Sequence, residues 1–153
     1  MPLLDDDAGK LKIDSSYDIP WVAGYSKDGK TVYIDRDVPR YLDLEDGRRA
    51  DVHYFLAIHE FVEKSLMDTF GYSYQEAHEI ALKAEQRAVE MEGIRWQEYD
   101  DLMQPFIVSS PNKEYKRVPS DLDLQPEYDS GDTEMLKKLQ KALSKLVVET
   151  SSK

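Results

Sequence analysis

Residues 50–71 read ADVHYFLAIHEFVEKSLMDTFG, and the pattern within them decides how the chain can fold. Val52, Phe55, His59, Val62 and Leu66 recur at spacings of three and four, which puts them on one face of a helix. Leu56, Ile58 and Phe61 widen that face until most of the circumference is apolar, so this helix belongs at the centre of the fold. Gly71 offers a left-handed stop. Ser73 then stands where it can cap a second helix, with Glu76 three residues on, so the pattern predicts a helix over 74–92 ended by Gly93. A joint this short makes the two helices antiparallel neighbours.

Toward the N-terminus, residues 17–38 hold two β-rich runs, IPWVAGY and TVYIDRDV, separated by the turn-forming Ser26-Lys27-Asp28-Gly29-Lys30. They predict a hairpin, with Pro20 at an edge or strand start because it cannot donate to a ladder. Residues 1–17, with Asp5, Asp6, Asp7 and Gly9, have no periodicity and read as a flexible or edge-lying start, and 39–49 read as a polar connection.

Toward the C-terminus, a shorter helix over 94–103 would place Trp96, Tyr99, Leu102 and Met103 on the core and stop at Pro105. Residues 109–132, broken by Pro111, Pro119 and Pro126, read as an extended segment wrapping the domain. Over 133–149, Met135, Leu136, Leu139, Ala142, Leu143, Leu146 and Val147 form an apolar stripe with lysines opposite. A lone helix of that length is marginal in water, so it should pack on the same domain, which is favoured over a swap onto a second subunit. The expected fold is α+β: an N-terminal hairpin on a mainly helical core (1–108), the wrapping segment (109–132) and the C-terminal helix (133–149).

Of 153 residues, 41% are hydrophobic, enough apolar surface for one folded domain, and none is cysteine, so disulfides and thiolate metal sites are excluded. No apolar run approaches the roughly 18 residues of a membrane span, and no signal peptide pattern opens the chain, which makes a cytoplasmic location the expectation. The net charge of −11 comes wholly from residues 1–108, with 12 basic against 23 acidic side chains, while 109–153 balance at 8 against 8. Such a surface repels a phosphate backbone, so neither nucleic acid nor membrane is an expected partner. Glycine-rich phosphate loops, GxSxG elbows and the Glu-x-x-His pairs of di-iron bundles are all missing. Trp21, Trp96 and the ten tyrosines read as core residues, since no basic groove accompanies them.

The concentrated chemistry lies in His59, Glu60, Glu63 and His78. His59 and Glu63 are four apart and share a helix face, where both can grip one ion, and Glu60 is turned about 100° aside. His78 on the next helix can supply a third ligand, leaving Glu60 as a base. Glu85, about 10 Å along the axis from His78, is too far to share its ion and suits a supporting hydrogen bond; Glu79 could ligate only if that helix were rotated. His53, well round the helix from His59, reads as an ordinary packing or surface histidine. The same histidines and glutamates can equally satisfy one another, or bond Tyr54, Tyr72, Tyr74 or a buried water, with no metal.

The segment AIHEFVEK resembles the metal-binding helix of zincin metallopeptidases, whose HExxH motif carries two ligands and a general base. The likeness extends over roughly residues 30–90, with VYIDR as an edge strand before the motif helix. It implies His59 as first ligand, Glu60 as general base, Glu63 in the place of the second histidine and His78 as third ligand, with Glu79 and Glu85 around them. It further implies a divalent cofactor, zinc first, and hydrolysis of a peptide or amide bond by metal-activated water. Glu63 departs from the motif, adding charge and hardness to the site. The alternative is a non-enzymatic module whose acidic face binds a basic protein. A peptide or protein substrate and a monomer are the accompanying expectations.

Overall fold

The computed structural model describes residues 11–151 and has the α+β architecture expected. Its organising strand is β3, Thr31–Ile34, the middle of a three-stranded sheet. β1, Lys12–Asp14, runs parallel to it on one side; β2, Ala23–Tyr25, runs antiparallel on the other. β2 and β3 form the predicted hairpin. In its turn the Asp28 carboxylate accepts from Ser26 Oγ at 2.6 Å and from the Lys30 N–H at 2.9 Å, and Gly29 takes the left-handed conformation at φ 72°. Residues 12–14 of the expected edge-lying start are thus an edge strand, while 1–10 lie outside the described residues.

Pro20 precedes the strand instead of entering it. Residues Pro20–Val22 make a 3₁₀ turn in which Trp21 and Val22 both have positive φ, 53° and 71°. That conformation is unfavourable for a β-branched residue and persists only where neighbours impose it. Here the Trp21 N–H donates to Ser110 Oγ at 2.8 Å and its indole N–H to Asp132 at 2.9 Å.

The polar connection expected over 39–49 is corrected by a second hairpin, β4 (Tyr41–Asp43) with β5 (Arg49–Asp51). Local turn chemistry overrides the polar composition: Gly47 sits at φ 90°, and Asp46 accepts from both the backbone N–H and Nε of Arg48. The Arg48 guanidinium then donates to the carbonyls of Glu92 and Gly93, which ties this hairpin to the helical layer.

α1 (Val52–Phe70) begins at Asp51, whose carboxylate accepts from the Tyr54 N–H at 3.2 Å, and closes at Gly71 with φ 70°. α2 (Tyr74–Met91) begins at Ser73, whose hydroxyl accepts from the Glu76 N–H at 3.2 Å. The pair packs more extensively than any other two elements.

α3 (Trp96–Ser109) runs past Pro105, where the sequence pattern predicts a stop. Proline forfeits one hydrogen bond to the residue four earlier, Asp101, and both residues are exposed, so water can serve the freed carbonyl while Phe106 and Ile107 pack on the core. The segment after α3 wraps as expected along the edge of β2, with the Lys27 N–H donating to Asp121 O at 2.8 Å and the Asp123 N–H to Tyr25 O at 2.9 Å. Within it, a six-residue helix, α4 (Gln125–Ser130), corrects the fully extended reading. Pro126 in its first turn and Gly131 at φ 72° after its end define it.

Alternation along β3 divides the interior. Val32 and Ile34 face a core with Val52, Phe55, Val89, Tyr99 and Met103, whereas Tyr33 faces a second core with Ile19, Tyr115, Val118 and Leu122. α5 (Thr133–Ser151) docks on that second core through Met135, Leu139 and Ala142; Leu146 and Val147 fall outside the described side chains. Lys113, bridged to Asp18, Asp35 and Asp37, clamps the start of the wrapping segment. Among the described residues no helix is long and apolar enough to cross a membrane.

Because Leu139 is wholly buried, Leu139→Ala should cost about 2–5 kcal/mol, read as a lower urea midpoint at unchanged m. A cost below about 0.5 kcal/mol would mean that α5 is not part of the core.

Candidate metal centre

Between α1 and α2 the facing surfaces carry polar groups in place of apolar ones. His59 and Glu63, one turn apart on α1, meet His78 from α2. His59 Nε2 lies 3.3 Å from Glu63 Oε2 and 3.3 Å from His78 Nδ1, and His78 Nδ1 lies 3.1 Å from Glu63 Oε2. One atom from each residue thus makes a nearly equilateral triangle, and the three could together hold a metal ion. Glu60 Oε2 stands at the edge of the group, 3.9 Å from His59 Nε2. His59, Glu60 and Glu63 are buried, whereas the His78 side chain is 43% exposed, so the group opens on that side.

His59 and Glu63 are each held from behind. Glu85 Oε1 lies 2.9 Å from His59 Nδ1, and its Oε2 accepts from the Tyr99 hydroxyl at 2.8 Å. A carboxylate on Nδ1 keeps a proton there and aims Nε2 at Glu63 and His78. The Tyr25 hydroxyl donates to Glu63 Oε1 at 3.0 Å, which leaves Oε2 for the triangle. The Tyr74 ring lies 5.5 Å from that of His78 and limits its swing.

His59, Glu63 and His78 therefore come together as the spacing predicts, with Glu60 beside them. Glu85 supports the group through His59 rather than joining it. Glu79 is exposed on α2 and stays outside, and His53, partly buried, does not line the adjoining cavity. Three residues escaped the sequence reading. Tyr25 and Tyr99 look like ordinary β and core aromatics, and nothing local marks their hydroxyls. Glu127, on α4, was recoverable in principle, because Pro126 and Gly131 bracket a helix start and stop.

The group lines a cavity of about 530 Å³ between α1, α2, β2, α3 and α4. Burial works against a charged His59, but its hydrogen bonds to the Glu63 and Glu85 carboxylates, with Glu60 nearby, outweigh it and push its pKa up to about 10. Burial would also raise Glu63, yet its hydrogen bonds with His59 and His78 hold it well below the usual carboxylate range. Glu60 moves the opposite way: burial, reinforced by the Glu63 carboxylate, pushes it well above that range. The same surroundings thus push two neighbouring carboxyl groups in opposite directions. No protein family, curated protein or solved structure matches this chain.

The raised His59 gives a signed expectation for metal-free protein. Its contribution to stability is complete below about pH 6.5, the unperturbed value, and is lost as pH rises toward 10. Thermal melts of chelator-treated protein should therefore fall between pH 6.5 and 10. A His59→Gln variant should show a flatter profile; equal slopes for the two proteins would remove the imidazolium from the account.

Proposed function

We propose that this chain is a zincin-like, zinc-dependent hydrolase of peptide or amide bonds, with His59, Glu63 and His78 as the ligands. The observation that carries this reading is the triangle of donor atoms. Ligands about 2.0–2.1 Å from a tetrahedral zinc ion lie about 3.3–3.4 Å from one another. The separations here are 3.1–3.3 Å. Two imidazoles and a carboxylate are also the number and kind of protein ligands that catalytic zinc takes, and the carboxylate on His59 Nδ1 is the support such a ligand receives. Bound zinc would polarise the scissile carbonyl and lower the pKa of water.

The protein's own part in the reaction falls to Glu60. Burial and the neighbouring Glu63 carboxylate raise its proton affinity, and in its ionised form it would take a proton from attacking water and return it to the leaving amine. Glu85 and Tyr99 hold His59 in one tautomer throughout, and Tyr25 keeps Glu63 from turning away.

Metal analysis of purified protein should find one zinc per chain, lost in His59→Ala and in His78→Ala. Stoichiometric metal that survives both substitutions would remove this site. Glu60→Gln should keep the zinc while lowering hydrolysis of a peptide library by about 100-fold or more. For Glu85→Gln the expectation is retained folding with zinc affinity weakened by about 10–100-fold in competition with a chromophoric chelator. Unchanged affinity there would show that the hydrogen bond to Nδ1 does not act on the metal.

A further inference from the structure

The cavity beside the triangle has an unbalanced lining. Among the described residues, seven carboxyl side chains and two histidines border it, with no lysine or arginine. Most of those carboxyl groups are committed elsewhere: Glu63 to Tyr25 and His78, Glu85 to His59 and Tyr99, Asp123 to Lys64 and Asp132 to the Trp21 indole. Glu127 is different. It is only 7% exposed, it lines the cavity, and its Oε2 is buried without any hydrogen-bond partner.

A buried carboxyl oxygen without a partner costs free energy unless something arrives to complete it. Burial, with the charges of Glu63, Asp132 and Asp123 adding to it, pushes Glu127 up to about 8, and an ammonium group beside it would favour the ionised form and displace that proton. Apolar side chains of the wall, including Trp21, Leu82, Trp96 and Leu122, suit a hydrocarbon or aromatic group next to that cation. A net charge of −11 would draw a positive ligand toward the opening.

We propose that Glu127 is a substrate-binding residue that receives a protonated amine, either the N-terminus of a peptide or a lysine side chain, beside the site formed by His59, Glu63 and His78. This rests on the hydrolase reading for its role in specificity, but the binding itself needs no metal. The commitment is to an amine borne on a largely hydrocarbon or aromatic group, because the unpartnered Glu127 oxygen lines the same cavity as several apolar side chains.

Calorimetric titration of full-length, chelator-treated protein tests it with three probes: phenylalanine amide, N-acetyl-lysine amide and the neutral N-acetyl-phenylalanine amide. At least one amine should bind about tenfold or more tighter than the neutral probe, and the tighter of the two identifies the source. Glu127→Gln, which keeps the side-chain shape, should abolish that preference while leaving the neutral probe and the zinc content unchanged. Equal binding of charged and neutral probes to the wild-type protein overturns the proposal without recourse to any variant. So does a preference that persists in Glu127→Gln, or no amine binding at all. Amine preference in a protein that never takes up zinc would instead retire the hydrolase reading and leave this one standing.

Discussion

Helix α1 buries His59, Glu60 and Glu63 among apolar side chains, and the packing of α1 on α2 depends on partners for His59 and Glu63. Unpaired, any of them would cost more than the neighbouring Phe55 or Ile58 contributes by burial. The solution runs through three helices: Tyr99 on α3 donates to Glu85 on α2, and Glu85 holds His59 on α1. Register between α1 and α2 is thereby fixed by polar matching as well as by apolar packing. A slip of one turn would separate His59 from Glu85 and Glu63 from His78 together. The candidate centre is therefore a consequence of how the helical pair is assembled.

The sheet serves that assembly from outside. β3 presents Val32 and Ile34 to the helical core and Tyr33 to the second core beneath α5, so one short strand joins two hydrophobic clusters. β2, beside it, carries Tyr25 to Glu63. The wrapping segment pairs along β2 and delivers α4, with Glu127, to the cavity rim. Its docking depends on Lys113 and its three aspartates at one end and on the Trp21–Asp132 hydrogen bond at the other. The strained turn at Trp21 and Val22 lies where this segment crosses the sheet, held by the contacts that close the cavity wall.

Much of this was legible in the chain because it depends on neighbours in sequence. The apolar period of 52–66, the Ser73 cap with Glu76, the Gly71 stop and the Ser26-to-Lys30 turn are local, and each element formed where its own residues favour it. The four-residue spacing of His59 and Glu63 likewise guaranteed a shared face. Errors arose where a local signal was weak or was outweighed. The β4–β5 hairpin hid behind polar letters because only a few of its side chains turn inward. Pro105 was outvoted by Phe106 and Ile107, whose burial offsets one lost hydrogen bond on a solvated face.

By itself, then, the sequence determined α1, α2, the main hairpin, the acidic charge and which residue types could meet at a metal, since propensity, capping and periodicity act over a few residues. Tertiary structure decided the rest. Whether His78 reaches His59, which oxygen of Glu63 is left free, and that Glu85 stands behind an imidazole while Glu127 stands before an empty wall are set by how α1, α2 and α4 pack. Contacts between residues 15 to more than 60 apart in the chain carry no local signature, because the energy that selects them is the desolvation of buried polar groups, and that exists only once the core has formed.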